Sequence, residues 1–475
     1  MTAQRYAKRP PAHRADLTRR TAYDVLAAVA SRAAYANLLL PRLLAERSLT
    51  GRDAALATEL TYGTLRGLGT YDAVLAACSD RPLDKLDPPV LQVLRLGTHQ
   101  LLATRVGSHA AVATSVDLAK AVAGPRVSGY VNAVLRRVAM RDAGEWVAVV
   151  APPADDDPDG YLAVRYSHPR WIVAAYRSAL GEAAAGEIEA ALAAGNERPR
   201  VTMATLPGGA GRDSVMPDGA LPGQWSPYAF TLPGGDPSSL VAAGQAAVQD
   251  EASQLAAIAL SRVPVDVGLA DVGGPANRWL DMCAGPGGKA RLLYGLAAGG
   301  RARLIASDSH PHRAGLVKTA LDRAADGVVG QSARAGVIAA DGLRPAWRDG
   351  AFDRVLVDVP CSGLGALRRR PEARWRKSES DLPALEELQR SLLRSGLAAV
   401  RPGGVVAYVT CSPVPAETQD VVRAVLADAP DVTVLDAPAE LPEVPGLRAT
   451  DPLFAQFWPH RHGTDAIFIA LLRRG

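Results

Sequence analysis

Two cysteines stand where a thiol could do chemistry. Cys361 closes the run Val355-Leu356-Val357-Asp358-Val359-Pro360-Cys361-Ser362-Gly363, and Cys411 follows a second apolar run at Val405–Thr410. A lone cysteine is ordinarily a small buried hydrophobe. Two of them at the carboxyl ends of neighbouring strands, one beside Asp358 and Pro360, suit a site that uses thiols. The reaction such a pair suggests is carbon methylation of a pyrimidine. C5 of cytosine is a poor nucleophile in the intact ring. A thiolate added to C6, with an acid supporting N3, makes C5 enamine-like and able to attack a sulfonium methyl group. A free thiol titrates at about 8.5, so the site must favour the thiolate. The residues alone do not say which cysteine attacks.

A glycine-rich turn is the second candidate. Leu280-Asp281-Met282-Cys283-Ala284-Gly285-Pro286-Gly287-Gly288-Lys289 follows a strand-length run and opens a helical pattern. Glycines let a backbone turn tightly and approach a ligand, and a helix N-terminus favours negative charge. The spacing is not GxGxxG and lacks the closing GK[ST] of a phosphate-binding loop, which disfavours a nucleoside triphosphate. Asp308 ends the next apolar run, where a carboxylate can accept both hydroxyls of a ribose. Asp341 and Asp358 follow the two runs after it. One such Asp is ordinarily a cap or turn former; three in series favour a nucleoside cofactor.

These residues need a parallel sheet to bring them together. Strand-length runs recur at Trp279–Met282, Leu304–Ser307, Val337–Ala340, Val355–Val359 and Val405–Thr410, separated by helical patterns at Lys289–Ala298, Arg313–Ala325, Leu382–Val400 and Glu417–Leu426. That alternation predicts an α/β doubly wound, mostly parallel sheet over 246–475, with ligands at the carboxyl ends of its strands. Upstream, Ala22–Ala33, Asp53–Leu65, Val90–Leu102 and Tyr130–Val138 carry apolar residues at three- and four-residue spacing, predicting an all-α domain over 18–145. Asp53 and Asp87-Pro88-Pro89 read as helix starts. Residues 1–17 read as a flexible tail and 146–160, around Ala151–Gly160, as a linker. Residues 161–245, helical and then rich in Gly and Pro, read as a small mixed α/β subdomain.

Composition bounds the answer. The chain has 475 residues, 48% hydrophobic and 21% charged, which suits several globular domains and excludes wholesale disorder. No stretch approaches the roughly 20 apolar residues that span a bilayer, and Met1–Arg20 is basic and polar without a secretory core. Four widely spaced cysteines make no disulfide scaffold, and the expected setting is cytoplasmic. The net charge of +4 is uneven: residues 1–145 hold 20 Lys and Arg against 12 Asp and Glu. A basic N-terminal third suits a polyanion such as nucleic acid, and equally a solvated helical surface.

At residues 278–422 the chain resembles the bacterial Sun/Fmu-type RNA cytosine-C5 methyltransferases of the NOL/NOP/Sun family. The resemblance rests on LDMCAGPGGKA, FDRVLVDVPCSGLGALRRRPEARWR and YVTCSPVPAETQDVV, and extends through VQDEASQLAA, Tyr166-Ser167-His168-Pro169 with Trp171, and Asn196 to Arg200. RDAALATELTYGTLR, LRLGTHQLL and GYVNAVLRR resemble the NusB-like RNA-binding domain joined to the small-subunit rRNA member. The resemblance implies a Rossmann-like catalytic domain behind a NusB-like one, S-adenosyl-L-methionine as cofactor, and small-subunit (16S) rRNA as partner. It also implies Cys411 as the nucleophile on C6, Cys361 in breakdown of the adduct, and Asp358 at the N3 edge. Cofactor contacts are implied for Cys283, Ala284, Gly285, Pro286, Gly287, Gly288, Lys289, Asp308, Arg313, Asp341 and Asp358. Two alternatives stay open: a tRNA cytosine-C5 methyltransferase, and a non-catalytic RNA-binding assembly factor.

The chain departs from the family's pattern at Ala290 (usually Thr), Gly285 (usually Ala), at Ala416, Thr418 and Gln419 in the usual PEEN run, and at Ala466 and Ile467. Arg368, Arg369, Arg370, Arg374, Arg376 and Lys377 surround Trp375 after the Cys361 loop and are expected to grip RNA phosphates and stack a base. The target cytosine must be unpaired or in a loop to leave its stack. His310, His312, His460 and His462 lack companion ligands and read as surface loop histidines; no metal site is expected.

Overall fold

The computed structural model describes residues 16–265, 277–299, 302–327 and 334–475. Of the tail expected at 1–17, residues 1–15 lie outside these. Asp16 and Leu17 instead start a helix, with the Asp16 carboxylate accepting the Thr18 amide. Residues up to 173 together with 369–376 form one compact unit, and 174–368 with 377–475 the other. Among the described residues no helix is long and apolar enough to cross a membrane.

The first unit is helical. Its helices run over Leu17–Arg32, Ala36–Glu46, Gly51–Arg66, Leu68–Cys78, Pro88–Ala103, Ser108–Ala123, Ser128–Val138, Ala143–Val150 and Pro158–Arg165. Their apolar stripes meet around Leu26, Leu60, Leu75, Val93 and Leu135, all fully buried or nearly so. The stretch read as a linker at 146–160 is helical at both ends. Ala143–Val150 carries an Asp142/Glu145 capping box, and the Asp157 carboxylate accepts the Gly160 amide to start Pro158–Arg165. The Asp and Pro residues that resemble a spacer are caps and first-turn residues.

The second unit holds two sheets. β1 (Thr202–Thr205), β2 (Leu221–Pro222), β3 (Ala229–Thr231) and β4 (Ala246–Val248) form a small antiparallel sheet in the order β2-β3-β1-β4. The boundary expected between 245 and 246 falls at the start of β4, whose Ala246 pairs with Thr205 of β1, so this sheet runs past it. The large sheet contains β5 (Arg278–Asp281), β6 (Arg303–Asp308), β7 (Arg334–Ala339), β8 (Phe352–Asp358), β9 (Val400–Thr410), β10 (Val432–Leu435), β11 (Ala455–Gln456) and β12 (Phe468–Arg474). Their order is β10-β12-β9-β8-β5-β6-β7, with β11 pairing β12. The five strands from β7 to β9 are parallel, and β12 and β10 complete the sheet antiparallel.

Both faces of this sheet are covered, which explains its unbroken apolar runs. Leu356, Val405, Ala407 and Val409 pack on helices Glu251–Arg262, Gly288–Gly299 and Pro311–Gly327. Val355, Val357, Val406 and Tyr408 pack on Leu382–Ala399 and Gln419–Ala427. Strand order reverses between β5 and β8, so the crevice for a ligand opens at the carboxyl ends of these strands.

One titratable group lies deep in the helical unit. His99 is 2% exposed, its Nδ1 lies 3.0 Å from the Tyr71 hydroxyl, and burial, with Arg66 second, lowers its pKa to about 4. An unfolded histidine titrates at about 6.5, so on acidification through this window the unfolded chain takes up a proton that the folded one refuses. Stability from His99 is therefore complete above about 6.5 and falls by about 3 kcal/mol as the pH drops to about 4. Urea unfolding of the wild type and His99→Gln between these limits measures it: the wild type should lose stability faster, and equal slopes would refute the assignment.

Candidate active site

The glycine-rich turn links β5 to helix Gly288–Gly299 beside the strand-order reversal. Met282 N–H donates to Leu356 O (2.9 Å) on β8 and Ala284 N–H to Ser307 O (2.8 Å) on β6, so the turn is held from both sides. Gly287 has φ of 113°, open to glycine, and a Cβ there would lie 2.9 Å from Ala320 Cβ. At Gly285, where a Cβ is usual, the amide donates to Asp308 Oδ2 (3.1 Å) and the carbonyl accepts Arg313 Nη2 (2.7 Å). An added Cβ would press on both side chains. Ala290 is fully buried in the core that the helix shares with its neighbours, a place for a small residue.

Acidic groups crowd the carboxyl edge. Asp308 ends β6 almost fully buried, with Oδ1 accepting the His310 amide (3.0 Å) and Arg313 3.3 Å from Oδ2. Asp341 follows β7 and is exposed, with Oδ1 accepting the Leu343 amide. Asp358 ends β8 and accepts Lys289 Nζ at 2.8 Å. Burial opposes the Lys289 ammonium, but the Asp358 carboxylate outweighs it and holds the lysine above its ordinary value. Asp281, which sequence reasoning passed over, is wholly buried with no side-chain donor on its carboxylate. Burial, then the charge of Asp358, pushes it up to about 8. Burial first and the neighbouring carboxylates next also push the Cys283 thiol up, so Cys283 is a poor nucleophile. Carboxylates at the ends of four parallel strands, around a turn shaped by glycines, suit the hydroxyl and amino groups of a nucleoside.

The two cysteines named from sequence do converge. Cys361 follows β8, Cys411 follows β9, and their sulfurs lie 3.1 Å apart as free thiols. Contact with Cys411 first, and burial second, raise the Cys361 thiol well above its ordinary value. The loop after Cys361 is fixed by its own backbone: Gly365 N–H donates to Cys411 O (2.8 Å), Gly365 O accepts Ala466 N–H (2.9 Å), and Tyr176 Oη donates to Leu364 O (2.6 Å). The departure at Ala466 thus falls where the backbone does the work. Behind the thiols, Glu417 accepts hydrogen bonds from Ser362 and Ser412. Gly365, Gln389 and Glu417 escaped sequence reasoning; the one signal was Glu417 surviving in an otherwise altered PEEN run.

The basic run has a different role from the one expected. Arg368 is buried beside Asp250 (3.8 Å) and Asp465 (3.4 Å). Arg374 is fully buried and donates to Ser167 O at 2.8 Å. The Arg376 guanidinium donates to Ala34 O and lies 4.9 Å from the Tyr35 ring, which Arg370 also approaches. Backbone carbonyls and a ring take Arg370, Arg374 and Arg376 inside the helical unit, and two carboxylates take Arg368 in the other, so Arg368 and Arg374 cannot reach RNA phosphates. His462 is likewise no surface residue: it is buried, with Nδ1 accepting the Trp458 amide and Nε2 donating to Pro445 O. His460 bonds Glu187 at 2.8 Å. Among the described residues no three His, Cys, Asp or Glu side chains are grouped to hold a metal.

Comparison with known proteins bears on the family and the fold. Residues 273–473 match the model of the 16S rRNA methyltransferase RsmB/F family, and residues 16–140 that of the NusB family. A protein of Mycobacterium tuberculosis strain H37Rv named as a methyltransferase is 49% identical over 97% of both chains. Ribosomal RNA small subunit methyltransferase B of Pseudomonas putida is 33% identical over 96% of this chain and 98% of its own. The crystal structure of PH0851 shares the fold, with a TM-score of 0.75 at 21% identity over 99% of this chain and 100% of that one.

A side chain at Gly365 would meet Ala466 O and lie 2.8 Å from Cys411 O. Gly365→Ala should therefore cost roughly 1–3 kcal/mol and loosen the contact between the thiols. Chemical denaturation measures the first; an unchanged midpoint would mean that the loop yields freely.

Proposed function

This chain belongs to the RsmB/F family of 16S rRNA methyltransferases, and from that premise we propose that it methylates C5 of one cytosine in small-subunit rRNA through a covalent Cys411–C6 adduct. The observation that carries this reading is the pair of free thiols 3.1 Å apart, beside the Lys289–Asp358 ion pair and the glycine-rich turn. S-adenosylmethionine is the cofactor of this family and supplies, when bound, an electrophilic methyl group. Cys283 to Lys289, Asp308, Arg313 and Asp341 are the residues we assign to holding it.

The remaining steps belong to the chain. Cys411 Sγ, as thiolate, adds to C6 and moves electron density onto C5. Asp358 supports the N3 edge through a proton shared between its carboxyl group and N3, which compensates the density that reaches N3. Lys289 keeps Asp358 oriented and its charge balanced while the base is bound. After transfer, water takes the C5 proton, the electrons of that C–H bond re-form the C5=C6 double bond, and the Cys411–C6 bond breaks with departure of the thiolate. Cys361, held toward its neutral form beside Cys411, assists this release. We assign RNA capture to the NusB-like residues 18–145 and to 161–245, and the setting to the cytoplasm.

Labelled S-adenosylmethionine with an unmodified small-subunit rRNA transcript, mapped to the nucleotide, tests the reading. One 5-methylcytosine is expected; transfer to tRNA alone would overturn the substrate, and RNA binding without any transfer would favour an assembly factor. Cys411→Ala should abolish transfer, and Cys361→Ala should leave a protein–RNA adduct that survives denaturing electrophoresis. Full activity in Cys411→Ala would reassign the nucleophile.

A further inference from the structure

We propose that Glu417 is a positioning residue that holds both thiol-bearing turns in register, so that Cys361 and Cys411 act as one unit; this rests on the two-cysteine reading above. Glu417 is fully buried, yet its partners are amides and hydroxyls rather than a cation. Oε1 accepts Ser362 N–H at 2.7 Å and Gln389 Nε2 at 3.1 Å. Oε2 accepts the hydroxyls of Ser362 at 2.5 Å and Ser412 at 2.6 Å. Ser362 follows Cys361 and Ser412 follows Cys411, so one carboxylate grips the residue after each thiol.

The acid is itself fixed in place. Its amide donates to Val414 O at 2.9 Å, and its carbonyl accepts Tyr408 Oη, from near the carboxyl end of β9, at 2.7 Å. Gln389, from helix Leu382–Ala399, bridges from Glu417 to Pro360 O at 3.0 Å. A buried carboxylate is costly unless its lone pairs are filled, and four donors fill these. Two loops 50 residues apart in sequence thus depend on one acceptor. Its charge also adds to the forces that keep Cys361 protonated beside Cys411.

Replacing Glu417 by Ala removes all four acceptances and leaves buried hydroxyls unpaired. Replacing it by Gln keeps an oxygen for the two N–H donors and sets an amino group against hydroxyls that can turn to accept. The two variants therefore separate geometry from charge.

The test uses the full chain and two readouts. In the first, diamide oxidises Cys361 and Cys411 to a disulfide and is itself reduced to the hydrazine, taking both thiol hydrogens; peptide mapping follows the bond. Folded Glu417→Ala should form it at least roughly tenfold more slowly than wild type, because a misplacement of about 1 Å is enough to slow an oriented reaction strongly. Glu417→Gln should stay near the wild-type rate. In the second, methyl transfer to rRNA should show kcat falling in Glu417→Ala with KM for RNA unchanged, and partial rescue in Glu417→Gln. Should Glu417→Ala not fold, Ser412→Ala, which frees one turn only, takes its place with slower disulfide formation expected. A wild-type disulfide rate in a folded variant overturns the proposal. Absence of methyl transfer in the wild type itself would instead overturn the functional reading, and the disulfide rates would still decide the role of Glu417.

Discussion

The contact between Lys289 and Asp358 makes the rest of the site possible. Asp281, Asp308 and Asp358 end three neighbouring parallel strands, and carboxylates so close repel one another. One ammonium, 2.8 Å from Asp358 and largely shielded from solvent, offsets that repulsion. It also joins the helix that follows β5 to the end of β8, across the point where strand order reverses. Losing either partner would leave a charge without compensation at the centre of the sheet's working edge.

The covered sheet explains why chemistry gathers at that edge. With side chains packed on both faces, no ligand can enter except over the strand ends, where backbone turns rather than side-chain layers form the surface. The same constraint sets the division of labour among cysteines. Cys283, among carboxylates, is pushed toward the neutral thiol, whereas Cys361 and Cys411 meet one another beyond the ends of β8 and β9. Hydrogen bonds from Gly365 and to Glu417 then fix loops that have no regular structure of their own.

Much of this is legible in the chain, for physical reasons that also mark its limits. Strands β5 to β9 are buried on both faces and so appear as continuous apolar runs ended by Asp or Cys. β10 is short and partly exposed, and β12 is an apolar run that periodicity cannot tell from buried helix, so neither announces itself. The Gly-rich turn, the three aspartates and the two cysteines stand where the chain's punctuation places them. The basic run misleads because charge counting cannot distinguish an arginine facing phosphate from one, like Arg374, spending its donors on buried carbonyls. Glu417 is hidden for the opposite reason: its importance lies in partners drawn from three separate segments, which no local spacing encodes.

The antiparallel insertion of β12 between β9 and β10 has a temporal consequence. Phe468 pairs with Thr410, one residue before Cys411, and the Ala466 amide binds the Cys361 loop through Gly365. A nascent chain still lacking residues 466–474 leaves β9 with an open edge and this loop without its anchor. The thiol pair is therefore assembled only after translation has passed these residues, however early the glycine-rich turn and its sheet have formed.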